Sequence, residues 1–174
     1  MLARLFAEHD AIGLIRHQSD YRVDLLLRSL EREFVERRSR GDTSGGVADD
    51  LQFLLTRYWL LSTYEAMRIV RDSKHAKSNS KLLALCYDFE AVRVPIAKLE
   101  IANDSKLKPG LQFTRMPARE DDQPEPYKPG DYYPPTIISS ETGSVGWVII
   151  EPKKLAQRQI FRRDLSDRML SIFD

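Results

Sequence analysis

The chain has 174 residues, 27 Lys and Arg against 26 Asp and Glu, a formal net charge of +1, and 42% hydrophobic residues. That balance excludes a collagen-like or mostly disordered chain, and it leaves no overall field to draw in nucleic acid or an anionic membrane, so such a partner would need a local patch. No apolar window approaches the roughly 18 residues of a membrane span, no secretory leader pattern opens the chain, and one cysteine, Cys86, allows neither an internal disulfide nor a cysteine zinc cage; these features predict a cytoplasmic protein with no membrane partner.

Leu2, Leu5 and Phe6 share one side of a short predicted helix over 2–16, which Gly13 weakens, and Ser19 and Asp20 suit the cap of the next helix. From Tyr21 to Arg40, Val23, Leu26, Leu27, Leu30 and Phe34 recur at helical spacing and predict one buried stripe. Asp24–Arg28, Glu33–Arg37 and Glu36–Arg40 are acid-first i,i+4 pairs outside it. Residues 41–46 form a glycine-rich connection without the Lys-Ser/Thr ending of a phosphate loop.

A second helix is predicted over 47–75, with Asp49 and Asp50 complementing its dipole. Between Leu51 and Leu61 it is apolar on nearly every side, which predicts a central helix surrounded by others. Ser78, Asn79 and Ser80 read as a turn and cap. A third helix over 80–103 carries Leu82, Leu85, Cys86, Phe89, Ile96 and Leu99 in one phase across Pro95, which predicts a single kinked helix and places Cys86 in the core.

Residues 104–135 hold Pro109, Pro117, Pro124, Pro126, Pro129, Pro134 and Pro135, an acidic cluster around Asp121, and no period. The stretch reads as a long loop that Tyr127, Tyr132 and Tyr133 anchor. Residues 136–140 and 145–150 read as two β-branched strands joined by a turn at Gly143. A last helix is predicted over 153–172 with the stripe Phe161, Leu165, Met169 and Ile172. The expected fold is mainly α: one domain over 1–174, a bundle of four to five helices (core 1–103) with a Pro-rich loop (104–135), an appended two-stranded hairpin (136–151) and a C-terminal helix (152–174).

Candidate sites follow from phase and charge. His9, His17 and His75 are scattered, and neither Asp49–Asp50 nor Asp121–Asp122 reproduces a calcium loop, so no metal or cofactor is expected. Arg93 falls between Phe89 and Ile96 on an apolar stripe, where a charge needs a partner; Glu65, Glu90 and Glu100 are candidates. With Arg57 in the apolar stretch of the second helix, Arg57, Tyr64, Glu65 and Arg93 form a predicted polar cluster, able to bridge helices or to hold a small ligand. Lys154, Arg158 and Arg162 lie at i,i+4 on the predicted last helix, a basic stripe able to meet phosphates, nucleic acid or the acidic loop around Asp121. The hairpin is apolar on both faces, so Trp147 and Ile149, with Phe161 of the last helix, are the predicted interface of a homodimer or of a protein partner.

Arg68 and His75 stand on the second helix with six residues between them. The spacing resembles the Arg-to-His signature of the HEPN ribonucleases and nucleotide-binding proteins, small helical bundles, although Ile69 stands where that family has a polar residue. The resemblance implies metal-independent RNA cleavage with Arg68 and His75 as the catalytic pair. The residues themselves favour a non-catalytic cytoplasmic binding or assembly protein, because no catalytic constellation exceeds chance spacing; the HEPN-like enzyme is the alternative.

Overall fold

The computed structural model describes residues 11–72, 79–107, 111–113 and 123–173, with side chains over 18–72, 79–107, 111–112 and 123–172. Helix α1 spans Ala11–Ser39, α2 Val47–Asp72 and α3 Ser80–Lys98. The first expectation is corrected here. Residues 11–20 already belong to α1, so Ser19 and Asp20 are interior helix positions rather than a cap, and Asp20 faces inward. Residues 1–10, the start of the predicted first helix, lie outside the described residues.

Helix α3 opens as predicted, with the Asn79 side chain accepting the Leu82 N–H at 3.0 Å. It stays one helix through Pro95. It stops at Lys98, short of the predicted end, because Leu99 adopts φ 58° and its N–H turns back to the Pro95 carbonyl. The Leu99 carbonyl then accepts the N–H groups of Gly130 and Tyr132, tying the Pro-rich stretch to this helix end.

That stretch contains a small ribbon, β1 (Gln112–Phe113) antiparallel to β2 (Glu125–Pro126). Two of the three tyrosines act as the expected anchors. Tyr127 Oη accepts the Ile101 N–H and donates to Asp104, and Tyr132 Oη donates to the Val148 carbonyl. Tyr133 is half exposed.

The predicted hairpin is the first part of a three-stranded antiparallel meander: β3 (Thr136–Ile138), β4 (Val145–Glu151) and β5 (Ala156–Phe161). Residues expected to open the last helix form β5 instead. The register pairs Trp147 with Ile160 and Ile149 with Arg158, while Gln157 and Gln159 alternate to the other face. That period of two sits just before the helical stripe and breaks it. Helix α4 therefore begins at Arg162 and runs to Phe173. Its Leu165, Met169 and Ile172 face the core as predicted.

Helix α1 packs on α2, α2 on α3 and α3 on α4, and β4 lies against α2, α3 and α4. The core joins Leu27, Trp59, Leu60, Phe89, Trp147 and Leu165. The molecule is thus mainly helical with a small sheet built into its core.

Candidate binding surfaces

The polarity of the first two helices runs against the usual rule. Among the described side chains of α1 the buried positions are Asp20, Asp24, Leu27, Glu31 and Phe34, so three of those five are acidic. On α2 the inward positions include Asp49, Gln52, Thr56, Trp59, Ser62 and Thr63. A buried carboxylate needs a cation, and the cation comes from the far end of the chain. Arg162, 0% exposed, donates to Glu31 at 2.7 Å and 3.0 Å and to Asp24, with its guanidinium 5.5 Å from the Trp59 ring centre. Arg28 adds bonds to Asp24 at 2.8 Å, Ser166 at 2.8 Å and Asp167 at 2.5 Å. Burial opposes ionisation of Asp24, yet the bonds from Arg28 and Ser166 and the field of Arg162 outweigh it, and its carboxyl is held below the ordinary range. A second cation knot joins Asp88 of α3 to Arg158 of β5 and, at 2.5 Å, to Arg168 of α4.

These contacts relocate the predicted site residues. Tyr64, Glu65 and Arg93 come together: Arg93 lies 3.7 Å from Glu65 and 5.1 Å from the Tyr64 ring centre. Arg57 does not join them and is exposed. Arg68 is exposed and bonded to Glu65 at 3.0 Å, while His75 lies outside the described residues, so the HEPN resemblance rests on the sequence pattern. The expected basic stripe does not form. Lys154 sits in the turn before β5 against Glu151, Arg158 is held by Asp88 and Glu151, and Arg162 is buried. Helical spacing puts the three on one face, and β5 separates them.

The expected dimer anchors are also corrected. Trp147 is 3% exposed and Ile149 1%, both in the intramolecular core, because β4 turns its Val145–Trp147–Ile149 side onto the helices. Phe161 lies half-buried on the opposite face over Gly146, where a Cβ would meet its ring at 2.5 Å. Cys86 is buried as expected, near the Met67 carbonyl; burial pushes its thiol up to about 11, so it is a packed hydrophobe rather than a nucleophile.

Two surfaces remain, and neither was singled out from sequence. The first is the outer side of α2. Val47, Leu51, Leu54 and Tyr58 recur at i, i+4, i+7 and i+11 on one stripe, with Val47 84% and Leu54 65% exposed. Asp50 and Arg57, both exposed, flank it seven positions apart. The sequence held the signal, since this stretch is apolar all round. Reading it as a fully covered helix missed that polar residues take the inner side. The second is a cavity of about 770 Å³ between the tyrosine-bearing loop and the outer face of the sheet, floored by Val148 and Ile150. Among the described residues no cluster of three or more His, Cys, Asp or Glu is arranged to hold a metal, and no helix is long and apolar enough to cross a membrane. Comparison with models of known protein families, with curated proteins and with solved structures finds no match to this chain.

Proposed function

We propose that this chain is a non-catalytic, cytoplasmic binding and assembly protein that works as a homodimer, with the outer stripe of α2 packed against the same stripe of a second copy. The observation that carries the reading is the inverted polarity of α2: Gln52, Thr56 and Thr63 are buried while Val47, Leu54 and Tyr58 face outward. An apolar helical stripe of this kind is stable in water only at a cost that a partner removes. The stripe is also self-complementary. A two-fold axis through Leu54 runs the two helices antiparallel, sets Leu54 against its copy, and brings Asp50 of each chain beside Arg57 of the other. Exposed Tyr21, Leu25 and Leu26 on α1 extend the apolar exterior of the neighbouring helix. A net charge of +1 offers little long-range repulsion between copies.

Sedimentation at micromolar concentration tests this. The unmodified protein is expected to be a dimer, and Leu54→Glu a folded monomer. Asp50→Arg is expected to weaken the dimer by setting like charges opposite each other, and Asp50→Arg with Arg57→Asp to restore it. A monomeric unmodified protein overturns the proposal, as does a dimer indifferent to Leu54→Glu.

A further inference from the structure

We infer that the outer edge of β5 is a docking site for an extended acidic peptide segment of a partner protein, taken up as a further strand of the sheet. Among the described strands β5 pairs with β4 alone, so it is an edge. The register fixes which backbone groups it presents. The Val148 N–H bonds to the Pro135 carbonyl on the β3 side, so Trp147, Ile149 and Glu151 turn their backbone groups toward β5, where they meet Ile160, Arg158 and Ala156. Gln157 and Gln159 therefore turn theirs outward, and both residues are exposed. Such a row of open donors and acceptors is a template for strand addition. The opposite edge is poorly suited to it, because β3 has three residues and is entered through Pro134 and Pro135, which carry no N–H.

Charge selects the occupant. On the side of β5 that faces the helices, Arg158 and Arg168 share the Asp88 carboxylate, and Arg158 also lies 2.8 Å from Glu151. The two acids are enclosed, with 7% and 14% of their side chains exposed, while the arginines keep 36% and 42% in solvent. Arg168 reaches Asp88 through Nη1, which leaves Nε and Nη2 to donate elsewhere. An added strand sets alternate side chains beside Arg158 on this face, so carboxylates there meet cations whose own acids lie inside. A second copy of this chain is the poorer occupant. The two-fold antiparallel registers of β5 on β5 set Arg158 opposite its copy or on the diagonal to it, and like charges so placed repel. A charge pointing inward from an edge strand guards it against pairing with itself.

The inference does not rest on the α2 dimer and is tested separately, on the full chain. The probe is the peptide acetyl-Val-Glu-Val-Glu-Val-Glu-Val-amide, followed by NMR and hydrogen exchange. Its control carries Gln for each Glu, which keeps the shape and removes the charge. The Gln157 and Gln159 amides are expected to exchange freely in the protein alone and to be protected by the Glu peptide. The Glu peptide should bind several-fold more tightly than the Gln peptide. The same Glu peptide N-methylated at every residue keeps its charge but cannot join a ladder, and is expected not to bind. Gln159→Pro deletes an outward N–H and leaves the bonds to β4 in place; it should fold normally, which circular dichroism checks, and lose both peptides. Arg168→Gln is expected to weaken the Glu peptide several-fold and to leave the Gln peptide unchanged. Equal affinity for the Glu and Gln peptides overturns the acidic occupant. Gln157 and Gln159 amides left unprotected at millimolar Glu peptide, or binding that survives N-methylation, overturns the strand edge as the site.

Discussion

At the scale of single residues, two arginines that look alike in sequence have opposite standing. Arg93 sits at helical phase with Phe89 and Ile96, but the structure leaves about a quarter of its side chain in solvent beside a similarly exposed Glu65. Removing it should cost no more than about 1 kcal/mol, as for other solvent-screened pairs. Arg162 is fully enclosed with Glu31, which is 1% exposed. Glu31→Ala leaves that guanidinium buried with only the Asp24 side of its cage, and should cost about 3–5 kcal/mol. Urea denaturation of Arg93→Ala and Glu31→Ala measures both. Comparable losses would contradict the ranking. Arg93 was legible in sequence because helical phase alone places it. Arg162 was not, because its burial requires β5 to bring it back between α1 and α2, and no local pattern records that closure.

At the scale of elements, the turn between β3 and β4 works as a wedge in the helical layer. Gly143 adopts φ 70°, and a Cβ there would lie 2.3 Å from the Glu31 carbonyl oxygen. Its own carbonyl accepts a bond from Gln52 Nε2 at 2.6 Å, so one glycine touches α1 and α2 together. Gly143→Ala combines the left-handed backbone penalty of about 1–2 kcal/mol with a clash against helix backbone that cannot yield without moving α1. A large fall in melting temperature is expected. Gly130→Ala, with a similar φ of 94° but open space around the added methyl, should show the backbone penalty alone; equal falls in the two variants would mean that the contact with α1 carries no weight. The sequence identified Gly143 as a turn residue, since Gly between two β-branched runs is a local signal. It was silent on the wedge, which depends on how closely the sheet approaches the helices. The same limit explains β5: Ala156–Phe161 has weak strand chemistry and owes its conformation to pairing with β4.

At the scale of the whole molecule, the mainly helical character and the start of a sheet after residue 135 were readable, because long stripes and β-branched runs are local. The distribution of polarity was not. Apolar residues on every side of residues 51–61 predict burial on every side, and the structure turns part of that surface outward so that α1 and α2 can enclose Arg162. Such an interior should respond to pH at both extremes. Asp24 has its carboxyl lowered by its arginine partners, despite opposing burial. Its contribution is fully present above the unfolded carboxyl value, near 3.8, and is lost as the pH falls through the lower folded value. Cys86 and Tyr132 behave in the opposite sense. Burial raises the thiol from 9.0 to about 11 and the phenol from 10.0 to about 12. Their contributions are complete below the unfolded values and disappear as the pH rises through the folded ones. Urea titrations should therefore show stability declining from about pH 9 upward as the unfolded thiol ionises first. Cys86→Ala removes one of the two alkaline groups, so the stability gap between the parent and this variant should narrow between pH 9 and 11 and stay constant from pH 6 to 8. Parallel curves over the alkaline range would show that the thiol is not held neutral by the core.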